Sequence, residues 1–238
     1  MSDTILEIEN LSVGYNGKAL SGPFNLSLPK GTTLGILGTN GSGKTTLMKT
    51  LLGLTAPLFG SYHWEPGSRF GFVPQESEID SLFPLTLQDL LEMGAPRGAK
   101  TGTMEKILVQ LGMEHLSNKL FRELSGGQKQ RALVGRALMG NPEVLLFDEP
   151  FNNLDYAFRK KLMDQILVWN REKSMTVILI EHDINRILNE VDYMIILGPH
   201  ESFAGLTREL LKEKTLEAAY EAPLHIHEEN GKLQIHFL

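Results

Sequence analysis

Two kinds of hydrophobic pattern alternate along this chain. Short, nearly continuous apolar runs predict buried strands. They lie at residues 4–9, 22–28, 33–37, 70–73, 144–148, 176–180 and 193–197. Other segments repeat apolar residues every three or four positions, as amphipathic helices do. These lie at residues 44–52, 87–93, 103–111 and 129–138. Strands that alternate with helices predict an α/β fold with a mainly parallel sheet.

The last residues follow a third pattern. Residues 224–237 alternate polar and apolar around Asn230-Gly231, a strong signal for a β-hairpin with a two-residue turn. That turn would set His225 opposite His236, with His227 on the same side. Two interpretations remain open: a metal-sensing site for Zn²⁺ or a similar ion, or a solvated face opposite a buried apolar one.

A glycine-rich loop lies between the predicted strand at 33–37 and the predicted helix at 44–52. Glycine lets the backbone turn tightly, so that successive N–H groups point at phosphate oxygens at the helix N-terminus. Lys44 can then reach the β and γ phosphates, and the Thr45 hydroxyl can bind Mg²⁺. A plain glycine turn before a helix is the structural alternative. The predicted contacts with ATP are Gly38, Thr39, Asn40, Gly41, Ser42, Gly43, Lys44, Thr45 and Thr46.

Two further motifs place polar residues at the ends of predicted elements. The apolar run at 144–148 ends in Asp148-Glu149, as a parallel strand does when it delivers carboxylates to the edge of a sheet. Paired acids at a strand end are by themselves most often a solvated turn. Ser125-Gly126-Gly127-Gln128 opens the helix at 129–138, and an isolated Ser-Gly-Gly is equally suited to a simple helix cap.

The glycine loop together with Leu-Ser-Gly-Gly-Gln at residues 124–128 resembles the ABC-type ATPases, and the resemblance covers nearly the whole chain. It implies a P-loop ATPase that needs ATP and Mg²⁺ and works as a head-to-tail dimer. Ser125, Gly126, Gly127 and Gln128 of one copy would face the γ-phosphate held by the other. The implied fold has an antiparallel N-terminal β-subdomain and a helical subdomain inserted at about residues 76–141. The nucleotide-binding domain would span residues 1–213, and a tail with the hairpin would span 214–238.

The resemblance also assigns roles at the reaction centre. Asp148 would hold Mg²⁺ through water, and Glu149 would polarise the water that attacks the γ-phosphate. Gln75, which follows the predicted strand at 70–73, would meet both the Mg²⁺ and this water. Without the other motifs, a glutamine after a proline would indicate only a structural role.

Three more residues receive roles from the resemblance. His182 follows the strand at 176–180 and would contact the γ-phosphate, although a lone histidine after a strand is more often a surface residue. Asp155 would cross the dimer interface. Tyr15 would stack on the adenine ring, although a tyrosine beside a glycine in a hairpin is often only structural.

Residues 81–94 look like those of metal-ion importers and, next, of iron-siderophore or haem importers. This likeness implies an ATPase subunit that couples hydrolysis to import. Its partners would be a second copy, transmembrane permease subunits that dock on residues 76–85 and the helix from Leu87, and a solute-binding protein. The alternatives are an exporter or lipid-transport complex, or a soluble ABC ATPase outside transport.

Composition narrows these possibilities. A net charge of −6 and a pI near 5.7 argue against a nucleic-acid partner, since such domains usually carry a basic surface. The chain has no cysteine, which excludes disulfides and thiolate metal sites. We find no apolar stretch near the ~20 residues that cross a bilayer, and no basic and apolar leader. The expected location is the cytoplasm, peripheral on the inner face of the cell membrane.

Overall fold

The computed structural model describes residues 3–75, 84–96, 102–152 and 156–238. The chain forms two compact units. The first comprises Met1–Pro66 and Ile178–Leu238, and the second comprises Gly67–Val177.

An antiparallel sheet forms the N-terminal part of the first unit. It consists of β1 (Thr4–Tyr15), β2 (Lys18–Pro29) and β4 (Phe59–Trp64), with β1 in the middle. The turn between β1 and β2 is Asn16-Gly17, and both residues have positive φ, as the tight turns of twisted hairpins require. This turn leaves Tyr15 at the end of β1, paired with Lys18.

Parallel pairing positions the glycine loop in the same unit. Strand β3 (Thr33–Gly38) is buried along its whole length and pairs in parallel with β8 (Tyr193–Leu197). Strand β9 (Ser202–Leu206) runs antiparallel to β8. Helix α1 (Lys44–Leu51) follows β3 and buries Leu47, Met48 and Leu51. The loop therefore lies at the C-terminal end of a buried strand, where α/β proteins usually bind ligands.

The second unit combines parallel strands with helices. Strand β5 (Phe70–Val73) pairs in parallel with β6 (Val144–Asp148). The helices are α2 (Leu87–Glu92), α3 (Thr103–Leu111), α4 (Gly126–Leu138) and α5 (Tyr156–Lys173). Strand β7 (Thr176–Glu181) begins in this unit and ends in the first.

The chain ends in the first unit with α6 (Thr207–Leu210), α7 (Glu213–Tyr220) and a hairpin of β10 (Leu224–Glu229) and β11 (Lys232–Phe237). We call β10 and β11 the C-terminal hairpin. Asn230 and Gly231 form its turn, and His225 pairs with His236, as predicted. Leu224 and Ile235 are buried on its apolar face.

The predicted α/β fold with a mainly parallel sheet and an antiparallel N-terminal sheet is confirmed. The strands at 70–73, 144–148 and 193–197 have the predicted bounds. Strands β4 and β9 were not predicted. Within the described residues, no helix is both long and apolar enough to span a bilayer. The domain boundaries at 76–141 and 213 stay a prediction.

Candidate functional site

The glycine loop has a backbone that only glycine allows at its first position. Gly38 has φ 153°, and a Cβ there would lie 2.4 Å from Ser42 Oγ and 2.6 Å from the Leu197 carbonyl oxygen. Since real Cβ atoms do not approach other atoms so closely, any side chain would force the loop apart. The tight turn predicted for a phosphate cradle is therefore present.

The N-terminus of α1 offers donors to an anion. Its N-cap is Gly43, at φ 97°, so no side chain caps the helix, and its first turn holds no acidic residue. The helix dipole makes this end partly positive. Ser42 Oγ is buried and has no hydrogen-bond partner within the part of the chain that the structure describes. These groups fit the oxygens of a phosphate chain.

Lys44 brings a buried cation to the same loop. The residue is only 6% exposed, and Nζ donates hydrogen bonds to the carbonyl oxygens of Gly38 at 2.9 Å and Thr39 at 3.0 Å. A buried ammonium group is stable only with such partners. Phosphate oxygens would be stronger acceptors in the same place, because they carry charge.

Tyr15 is anchored beside this loop. Its hydroxyl accepts a hydrogen bond from Thr46 Oγ1 at 2.9 Å, which ties the end of β1 to the first turn of α1. The residue is still 51% exposed. An exposed ring held at this position fits the predicted stacking on a base.

His182 follows β7 and is backed by a carboxylate. Glu181, the last residue of β7, is 0% exposed, and its Oε2 lies 3.9 Å from His182 Nδ1 and 3.3 Å from Arg186 Nη1. The His182 side chain is 39% exposed. Sequence reasoning missed Glu181 and Arg186. The available signal was an acid that directly follows the apolar run at 177–180, with an arginine five residues later.

In the second unit, the two acidic residues at the end of β6 differ in burial and in backbone conformation. Asp148 is 6% exposed, whereas Glu149 is half-buried and has φ 47°, an uncommon conformation for a residue with a side chain. Asn152 fixes this turn, since its N–H donates to the Glu149 carbonyl at 3.2 Å and its Nδ2 donates to Glu149 Oε2. Sequence reasoning missed this role of Asn152, although asparagine is one of the residues that turns favour.

The string at 124–128 opens α4 with a capping box. Ser125 is the N-cap, and its Oγ accepts the Gln128 N–H at 3.4 Å, while Gln128 Oε1 accepts the Ser125 N–H at 2.9 Å. Ser125 and Gly126 are exposed at this helix N-terminus. Gln75 follows β5 and is half-buried. Asp155 lies outside the described residues, as do residues 76–83 of the expected docking surface.

Comparison with known proteins identifies the family. The family model described as "ABC transporter" matches residues 22–152, more than half of the chain. The chain belongs to the ABC transporter family. It is an ATP-binding domain of that family, and these domains are ATPases that hydrolyse ATP to power transport.

Curated relatives of this ABC ATPase extend over most of its length. The zinc import ATP-binding protein ZnuC of Yersinia enterocolitica is 33% identical over 85% of the chain and 79% of the relative. The manganese transport system ATP-binding protein MntB of Bacillus subtilis is 30% identical over 90% of the chain and 92% of the relative.

Solved structures agree with this assignment. A metal-chelate type ABC transporter in an inward-facing conformation matches with a TM-score of 0.85 and 28% identity, over 99% of the chain and 97% of the matched one. An ATP-binding cassette in its ADP conformation, 24% identical, shares the fold with a TM-score of 0.78 over 91% of the chain and 98% of the matched one.

The metal-sensing interpretation of the tail of this ABC ATPase is wrong. His225 and His236 pair as predicted, but His225 Nδ1 lies 3.2 Å from Glu213 Oε1, and His227 pairs with Gln234. Among the described residues, which include the whole hairpin, no group of three or more His, Asp or Glu could hold a metal ion. The imidazoles belong to an exposed face, because strand pairing aligns backbones without bringing three ring nitrogens to one point.

Proposed function

We propose that this chain is the ATP-hydrolysing subunit of an importer of divalent metal ions. The main support for ATP binding is the glycine loop. Lys44 Nζ donates to two carbonyl oxygens of this loop, and no side chain caps the helix that follows it. The named relatives in zinc import and manganese transport support the metal cargo.

In this proposal residues 38–46 bind the phosphates and Tyr15 stacks on the adenine. Lys44 Nζ exchanges its two loop carbonyls for oxygens of the β and γ phosphates. Thr45, Gln75 and Asp148 supply a hydroxyl, an amide and a carboxylate oxygen, the ligand types that Mg²⁺ prefers. When bound, Mg²⁺ neutralises charge that develops on the phosphates during transfer.

Catalysis is assigned to Glu149, His182 and Gln75. Glu149 accepts a proton from the attacking water, and its contact with Asn152 holds the carboxylate for that task. His182 contacts the γ-phosphate. Ser125, Gly126, Gly127 and Gln128 of a second, head-to-tail copy complete the site, and Asp155 crosses between the copies. ATP binding then closes the dimer, and hydrolysis reopens it.

The proposed partners are transmembrane permease subunits and a solute-binding protein, and the chain works at the inner face of the membrane. A nucleic-acid partner is not proposed, because the net charge of −6 would repel a phosphate backbone.

Uptake of ⁶⁵Zn²⁺ and ⁵⁴Mn²⁺ by cells that lack this gene tests the proposal. We expect uptake of one ion to fall and to return with the wild-type chain but not with Lys44→Ala. Lys49→Ala changes an exposed lysine of the same helix and is the matched control that restores uptake. Unchanged uptake of both ions, with slower efflux of another solute, would favour an exporter instead.

A further inference from the structure

Side chains bond to the C-terminal hairpin along both of its outer edges. On the β10 edge, Glu213 Oε1 accepts the N–H of Ile226 at 3.1 Å, and Glu217 Oε1 accepts the N–H of Leu224 at 3.4 Å. A two-stranded hairpin is marginal by itself, and its edges present backbone groups that need partners. Helix α7 supplies those partners on one side.

Two asparagines supply hydrogen-bond partners to the backbone groups on the β11 edge. Asn185 Nδ2 donates to the Ile235 carbonyl at 2.8 Å, and Asn185 Oδ1 accepts the Ile235 N–H at 2.8 Å. Asn189 makes the same two bonds to Leu233, each at 2.9 Å. Residues two apart in a strand present their backbone groups to the same edge, so these amides bond to β11 as a neighbouring strand would.

The two asparagines lie directly after His182, in residues 182–190, which we call the switch segment. Asp183 Oδ1 accepts the Asn185 N–H at 3.0 Å and caps a 3₁₀ turn, Ile184–Arg186. Arg186 Nε lies 3.4 Å from Asp183 Oδ2. Arg186 also contacts the Glu181 carboxylate that backs His182. A continuous set of contacts therefore joins β11 to the imidazole.

The last residue of α7 also contacts the C-terminal hairpin. The ring of Tyr220 packs edge-on against Phe237 of β11, with centroids 5.2 Å apart. Burial raises the pKa of Tyr220, and the nearby Asp183 carboxylate raises it further. The hairpin, α7 and the switch segment thus form one packed cluster.

We propose that Asn185 and Asn189 are positioning residues for ATP hydrolysis. Through them the C-terminal hairpin fixes the switch segment, and with it the direction in which His182 presents its ring. This inference rests on the proposed role of His182. It gives the last two strands of the chain a function in ATP turnover, although they come more than 40 residues after His182 in the sequence.

The test compares phosphate release by the purified full-length protein and by Asn185→Ala/Asn189→Ala. We expect kcat to fall at least fivefold while KM for ATP and the affinity for a fluorescent ATP analogue stay within twofold. Gln234→Ala, an exposed side chain of the same strand, is the control and should match the wild type. If the double variant melts below the assay temperature, Asn189→Ala alone is used. An unchanged kcat in either variant overturns the proposal.

A double-mutant cycle with His182→Ala separates positioning from simple stability. If the asparagines act through His182, their replacement lowers kcat in the wild type but not further in His182→Ala. An equal loss in both backgrounds contradicts the proposal. If His182→Ala itself leaves kcat unchanged, the proposed role of His182 fails and this inference falls with it.

NMR of ¹⁵N-labelled histidine gives a readout that needs no turnover. The His182 ring signals, assigned by their loss in His182→Ala, should shift in the asparagine variants and stay in place in Gln234→Ala. His182 ring signals that stay at the wild-type positions in the asparagine variants would also overturn the proposal.

Discussion

At the scale of single residues, spacing along the chain predicts the groups proposed to bind phosphate, but not the residues that hold the proposed catalytic side chains. The loop at 38–45 is predictable from the sequence because its residue types and their spacing fit a known turn between a strand and a helix. The contacts of Asn152 with Glu149 and of Glu181 with His182 depend on how two turns fold. No periodic pattern specifies such turns.

Tyr15 gives a residue-scale prediction with an internal control. Tyr15→Ala removes the ring, and we expect the Kd for ATP to rise about 2- to 12-fold, since aromatic stacking contributes about 0.5–1.5 kcal/mol. Tyr15→Phe loses only the bond from Thr46 and should stay near the wild type. Titration with a fluorescent ATP analogue measures both. Equal affinities for Tyr15→Ala and the wild type would exclude stacking.

At the scale of elements, burial decides what could be predicted. Strands β3, β6 and β8 are buried almost throughout, so their apolar runs are unmistakable. Strand β4 is half-exposed and β9 contains glycine, and both owe their conformation to pairing with a neighbour. Helix α4 begins earlier than predicted, at Gly126, because the capping box outweighs the poor helix propensity of two glycines.

Close packing after α2 gives a prediction in the second unit. A Cβ on Gly94 would lie 2.0 Å from the carbonyl oxygen of Arg136 in α4, so Gly94→Ala should reduce the free energy of unfolding by about 1–3 kcal/mol. A Cβ on Gly140 would meet nothing nearer than 3.9 Å, and Gly140→Ala should be neutral or slightly stabilising. Urea denaturation measures both variants. Equal midpoints would contradict this packing.

The C-terminal hairpin gives a prediction about pH. The Ile226 N–H and then His225 lower the pKa of Glu213 below its ordinary value of 4.5. The ionised carboxylate therefore stabilises the folded chain above pH 4.5, and this contribution is lost as the pH falls through the folded pKa. Glu213→Gln should lower Tm near neutral pH, with a difference from the wild type that closes in acid. Glu209→Gln, exposed on α6, is the control. A Tm difference independent of pH would contradict the assignment.

At the scale of the whole molecule, the sequence predicts the family but not how distant parts act together. The hydrogen bonds between Asn185 and Ile235 join residues 50 positions apart, and no sequence pattern around either residue predicts them. The proposed second copy and the proposed membrane subunits are separate molecules that this sequence does not specify. The proposed function requires a second copy, because residues 124–128 would complete the nucleotide site of a neighbouring chain.

The most direct test of this account is the Glu149→Gln variant in Mg²⁺ and ATP. Without the proposed general base, the chain should bind ATP normally but hydrolyse it at least ~10²-fold more slowly. It should therefore accumulate as a closed dimer, seen by light scattering as twice the mass of one chain, while the wild type does not. Wild-type turnover by this variant, or a single-chain mass with ATP bound, would contradict the account.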